Sequence, residues 1–146
     1  MTQTKKHEMM KHLIEEYKHD REGYNPFLIR NNWQVAQLNH ISGQGIDDIV
    51  KIDMHLKTDE VFILLKGIAV LIVAEKDGDE LVYQTIKMQE GITYNIPKMT
   101  WHNIAMDKNA QVIIVEDANT HNGDFEYYYM NEKQKEEMYH RIKACM

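Results

Sequence analysis

Between Trp33 and Met130 the chain is cut into about nine short apolar runs, with turn residues recurring about every 8 to 12 positions. That rhythm constrains the fold more than any other feature. Strands so closely spaced leave no room for crossover helices, which argues against a βαβ sheet and for an all-β sandwich or barrel. "WQVAQLN" alternates, and Gly43 and Gly45 mark a turn after it. "IVKIDMH" sets Val50, Ile52 and Met54 on one face and Lys51, Asp53 and His55 on the other, because successive strand side chains point to opposite sides. "EVFILLKGIAVLIVAE" is rich in Val and Ile and breaks at Gly67 into two strands. "KDGD" is a hairpin turn of the Asp-Gly type, and "LVYQTIKM" returns from it as a strand. Gly91 closes the next loop, and "TYNIP", "HNIAM", "AQVIIVED" and "FEYYYM" supply the remaining strands. In the last of these, alternation exposes Tyr128 and buries Tyr127 and Tyr129, as expected of edge-strand or dimer packing.

Helices are expected at both ends. Met9, Met10, Leu13, Ile14 and Tyr17 form one stripe over residues 5 to 20, ended by Gly23 and Pro26. At the other end Asn131 can cap "EKQKEEMYHRIKACM", with Met138 and Ile142 on one face. The expected organisation is a single domain over 1–146, with a helical segment at 1–25, a β-barrel at 33–130 and a helix at 131–146. A chain of 146 residues can bury roughly 70 % of its unfolded surface in one core.

Charge and composition narrow the partners. The net charge is −6 and the Lys and Arg residues are scattered among acids, so no nucleic-acid partner is expected. The longest apolar run, Ile68 to Ala74, is too short to cross a bilayer, and the opening stretch lacks the apolar core and cleavage site of a signal peptide. Cys145 stands alone and cannot pair within the chain, which suits a cytoplasmic location. No nucleophile elbow, phosphate loop or dinucleotide fingerprint occurs, and no attached DNA-binding domain is expected. The expected partner is a small molecule. The apolar N-terminal stripe suggests self-association as a homodimer.

Polar side chains converge at two places. Asp53 and His55 share a strand face, and the short turn "LKTD" can fold Glu60 back to the same mouth. In "GITYNIPKMTWHNI", Pro97 ends one strand and His102 begins the next, from where it can project inward from the opposite side. Imidazole nitrogens with carboxylate oxygens suit Zn, Fe, Mn, Ni or Cu, while a soft thiolate site is excluded. Alternation from Glu60 turns Phe62 and Leu64 inward. Tyr94 could offer its phenol to a ligand, although a strand tyrosine is more often core. Trp101 either lines the mouth or packs, and His40, His121 and His140 are expected to face solvent.

These two stretches resemble the paired motifs of the cupin superfamily. His55, four residues, Glu60, six residues and Gly67 match the second half of the first motif. Gly91, five residues and Pro97, followed by His102, match the second motif in register. The segment between them, 68–90, has a length usual for small single-domain cupins. Four positions depart: Asp53 stands where the first histidine is usual, Gly45 lies too far upstream, Met99 replaces a glycine and Met106 an asparagine.

The resemblance implies a jelly-roll double-stranded β-helix, commonly dimeric. It also implies that His55, Glu60 and His102 are metal ligands. Three readings of Asp53 follow. It is a fourth ligand; or it turns away and leaves a two-histidine, one-carboxylate triad; or the metal is lost and the barrel binds an organic ligand. Cupins include isomerases, epimerases, lyases, oxygenases and non-catalytic binding proteins, so the fold does not choose the reaction. The first reading of function is a metal-dependent enzyme acting on a sugar or a hydroxy or keto acid. Asp53 would serve as ligand or general base and Tyr94 would orient the substrate. The other is a metal-free small-molecule binder without catalysis.

Overall fold

The computed structural model describes residues 13–146. Among the described residues ten strands are formed: β1 (Gly23–Ile29), β2 (Gln34–Asn39), β3 (Lys51–Met54), β4 (Glu60–Lys66), β5 (Ala69–Asp77), β6 (Glu80–Lys87), β7 (Thr93–Ile96), β8 (Trp101–Met106), β9 (Gln111–Glu116) and β10 (Glu126–Tyr129). One helix, α1 (Glu132–Ala144), follows them. The strands make two five-stranded antiparallel sheets, ordered β1-β2-β9-β4-β7 and β10-β3-β8-β5-β6, the arrangement of a jelly roll.

The interior is a ladder of rungs. Ala36 pairs with Ile114, Ile114 with Phe62, and Phe62 with Tyr94. One rung further in, Leu38 pairs with Val112 and Val112 with Leu64. In the facing sheet Ile104 pairs with Leu71 and Met106 with Ala69. All of these except the partly buried Tyr94 are buried in one apolar cluster between the sheets. At the other end of the same inward rows the residues become polar: Gln34 precedes Ala36, Glu60 precedes Phe62, His102 precedes Ile104, and Glu116 follows Ile114. All four are buried. A period of two thus carries each strand from the apolar core to an ionisable end without changing face.

The opposite face of the second sheet is covered by α1. Met138 and Ile142 are fully buried against Ile52, Val70, Ile72 and Tyr83. Each such burial contributes roughly 1.5–3 kcal/mol. Asn131 begins α1 as expected, in a reciprocal capping box with Gln134. The break at Gly67 is also as expected: the residue has φ +82°, and a Cβ there would lie 2.4 Å from Ala110 Cα.

Several expectations fail. The helix over residues 5 to 20 is not formed where it can be seen: residues 13–20 carry no helix, and the rest lies outside the described residues. Leu13 and Ile14 are 77 % and 79 % exposed, so these two members of the stripe are not buried by packing, while Tyr17 packs on Phe27. Instead the side-chain amides of Gln37 and Asn39 donate to the His19 carbonyl, and Asn39 also donates to that of Arg21, holding the segment along β2. Gly23 and Pro26, expected to end a helix, lie in β1; the register shifts between Asn25 and Leu28, where the proline needs no ladder partner. The barrel therefore begins at Gly23 and not at Trp33. Val50 precedes β3 and is exposed. Tyr127 and Tyr129 are exposed, while Tyr128 packs with Trp101 on the α1 side, the reverse of the expected alternation.

Candidate metal centre

Two histidines at neighbouring strands of one sheet reach one carboxylate on the facing sheet. His55 lies just past β3, and its Nε2 is 2.6 Å from Glu60 Oε2, on β4. His102, near the start of β8, places its Nε2 3.0 Å from the same oxygen. Both rings are held from behind: His55 Nδ1 donates to the Asp124 carbonyl at 2.6 Å, and His102 Nδ1 to the Thr100 carbonyl at 2.9 Å. A carbonyl only accepts, so each Nδ1 carries a proton and the lone pair of a neutral ring lies on the inward Nε2. That orientation is the one in which histidine ligates a metal while donating through its other nitrogen.

The surrounding loops fix these positions. The Asp124 carboxylate accepts the backbone N–H groups of Leu56 and Lys57, and Met99 N–H donates to the His55 carbonyl. Met99 has φ +66°, the left-handed conformation that glycine adopts most easily. The turn before His102 thus keeps its shape although the motif glycine is replaced, and Met99 points its exposed side chain to solvent.

Two further carboxylates stand close. Asp53 pairs with His102 across β3 and β8, and one atom each from Asp53, His55 and His102 lie within 4.8 Å of one another. Glu116, at the end of β9, forms a second such group with His55 and Glu60. Its Oε1 accepts from Tyr24 Oη at 2.5 Å and from the Gln34 amide at 3.1 Å. Its Oε2, 3.9 Å from His55 Nε2, is the one buried side-chain polar atom among the described residues without a hydrogen-bond partner. Once their Nε2 protons are displaced, two inward imidazoles join three carboxylates, one with an orphaned buried oxygen, in a donor set suited to a divalent cation.

The electrostatics carry the same tension. Burial works to raise the Glu60 carboxyl, but hydrogen bonds from His102 and His55 outweigh it and hold it down at about 2. For His55 burial acts downward, yet Glu60 lifts the imidazole to about 9. His102 is raised in the same way, burial opposing and Glu60 prevailing. Burial pushes Asp53 and Glu116 above the usual carboxylate range, and the charge on Glu60 adds to both.

These groups line a cavity of about 330 Å³ that is walled on one side by Phe62, Ile104 and Ile114. Lys51, Tyr24, His121, Phe125 and Tyr127 also line it, and the Lys51 ammonium lies 3.7 Å from the Tyr127 ring centre. Tyr94 is not among its lining residues: it packs on the apolar cluster, and its hydroxyl accepts the Gln89 N–H at 2.9 Å. Trp101 packs on the α1 side. His121, expected to face solvent, lies 3.2 Å from the Gln34 amide. Glu116, Gln34 and Tyr24 were not singled out by the motifs. For the first two the signal was the apolar alternation running on into a polar residue, Val112–Ile114–Glu116 and Leu38–Ala36–Gln34. Tyr24 was hidden by the mistaken helix.

No helix among the described residues is long and apolar enough to cross a membrane. No family model matches the chain, and no curated protein matches it. Solved structures do. Streptomyces PAC13, in a tyrosine-to-phenylalanine variant with uridine, is 9 % identical with a TM-score of 0.54, over 83 % of this chain and 98 % of that one. A cupin-2 domain containing protein from Shewanella frigidimarina is 22 % identical with a TM-score of 0.48, over 80 % and 93 %. A variant of Bacillus subtilis oxalate decarboxylase is 16 % identical with a TM-score of 0.48, over 66 % of this chain and 24 % of that one, so this chain spans about a quarter of the decarboxylase. At these identities the likeness is one of fold. His55 and His102, at neighbouring strands of one sheet, both meet Glu60 of the facing sheet, and the chain takes the fold of the cupin superfamily.

Proposed function

We propose that the chain is a metal-dependent enzyme acting on a small polar metabolite, a sugar or a hydroxy or keto acid, with a divalent transition metal held by His55, Glu60 and His102. The observation that carries this is the pair of Nδ1-anchored imidazoles whose Nε2 atoms meet one oxygen of Glu60. Held by these three side chains, a divalent metal would supply Lewis-acid polarisation of a substrate oxygen. Lys51 offers a cation to an anionic substrate group, and Tyr24, Phe125 and Tyr127 offer ring surface to its carbon skeleton. Asp53 shares the inward row of Lys51 and His55 and serves as ligand or as general base. Tyr94 keeps a packing role, since its hydroxyl is already engaged. The chain works as a homodimer through edge strand β10 and its exposed tyrosines; a monomeric mass by light scattering removes this part.

The test is the metal content of protein purified without chelator. About one equivalent is expected in wild type and a strong loss in His102→Ala. Equal, near-zero content in both refutes the metal reading.

A second reading, a metal-free binder, draws support from the same short contacts. With both rings protonated, His55 and His102 close on Glu60 as ion pairs without any metal. It predicts that small-molecule ligands raise the melting temperature in EDTA, and it fails if every stabilising ligand requires a divalent ion.

A further inference from the structure

We propose that Glu116 is itself a ligand of this metal, acting with His55 and Glu60, and so supplies the donor that the cupin pattern would place at Asp53. The inference rests on the metal reading above.

The geometry favours Glu116 over Asp53. Its side chain is only 3 % exposed, yet one oxygen has no partner and lies 3.9 Å from His55 Nε2. The other oxygen is held by Tyr24 and Gln34, and Gln34 is fixed in turn by the Asn119 N–H on its carbonyl oxygen. A carboxylate pinned through one oxygen and bare at the other is arranged as a ligand with its outer support in place. One of its oxygens shares a 4.8 Å group with atoms of Glu60 and His55. Two buried carboxylates at that separation repel, and a dication offsets both the repulsion and their lost hydration. Asp53 has its own group with His55 and His102, but it is half-buried and lies two residues from Lys51 on the same inward row. Asp53 is thereby left to face substrate.

The experiment titrates the full chain, stripped of metal, with Co²⁺, following affinity and the visible absorption of the bound ion. Glu116→Gln should weaken binding by about 100-fold and alter the absorption. Tyr24→Phe, which loses only the support of Oε1, should cost about tenfold. Asp53→Asn should stay within about fivefold of wild type. Glu116→Gln binding within about threefold of wild type with an unchanged spectrum overturns the inference, as does a larger loss in Asp53→Asn than in Glu116→Gln. If wild type takes up Co²⁺, His102→Ala does not and Glu116→Gln behaves as wild type, this inference alone fails. If wild type takes up none, the metal reading fails with it.

Melting without metal guards against misfolding. Glu116→Gln removes a buried like charge, so its metal-free melting temperature should equal or exceed that of wild type while its rise on adding Co²⁺ is lost. A rise as large as that of wild type also overturns the inference. Should Glu116→Gln not fold, Glu116→Asp takes its place: its shorter carboxylate must weaken Co²⁺ binding by at least about tenfold, and wild-type affinity there is equally fatal.

Discussion

The two ends of the barrel interior are built on the same strands and face the same way, yet they are stabilised by opposite means. At one end Leu38, Leu64, Met106 and Val112 fill space between the sheets, and each is at most 6 % exposed. At the other, Gln34, Glu60, His102 and Glu116 continue the same rows. The apolar end gains from removing surface from water and needs no particular partner beyond good packing. The polar end gains only if each buried group is paired, and one oxygen of Glu116 is not. Stability and function are thus separated along each strand by one or two side chains.

This separation can be tested by disturbing each end alone. The largest effect is expected at the boundary: Phe62→Ala, at a site 2 % exposed, should cost about 3–5 kcal/mol in urea unfolding. It should leave one equivalent of metal bound, and loss of metal would mean that the two ends are not independent. Next is the metal itself. A divalent ion at about a thousand times its dissociation constant should add about 4 kcal/mol to the stability of wild type and almost nothing to His102→Ala. The same gain in both proteins would move the ion elsewhere.

A smaller effect is expected from pH on the metal-free protein. His55 is raised to about 9 from its ordinary 6.5, so its contribution is complete below about 6.5 and lost as pH rises through 9. Glu60 is lowered to about 2 from 4.5, so its contribution is complete above about 4.5 and lost as pH falls through 2. Unfolding curves across pH should therefore show highest stability between about 4.5 and 6.5. Added metal should abolish the alkaline loss, because it replaces the protons on Nε2; an unchanged alkaline slope with metal present would show that no such exchange occurs. The smallest effect lies outside the barrel. Asn131→Ala should cost about 1 kcal/mol by removing the α1 cap, with metal affinity unchanged. A change in affinity would show that α1 reaches the site through β3.

Much of this fold was legible from local pattern. The two halves joined at Gly67, the hairpin at Gly78 and the cap at Asn131 depend on residues within a few positions of one another. The motif spacing brought His55, Glu60 and His102 forward for the same reason, since each sits at the edge of a short strand. The N-terminus misled because a helical stripe becomes a helix only where it can be buried, and the amides of Gln37 and Asn39 hold that segment otherwise. Tyr127 to Tyr129 misled because alternation assigns sides without saying which side is covered. That was decided by α1, which packs over Tyr128.

The sequence by itself determined the strand rhythm, the inward rows and three members of the site, because these follow from a period of two and from turns of a few residues. Only the tertiary structure decided that Glu116, Gln34 and Tyr24 join them. Tyr24 and Glu116 are 92 positions apart, and Gln34 and Glu116 are 82 apart. Their meeting depends on the registers of β1 with β2 and of β2 with β9, set by packing of the whole apolar ladder. The alternation of a single strand cannot encode which distant strand lies beside it.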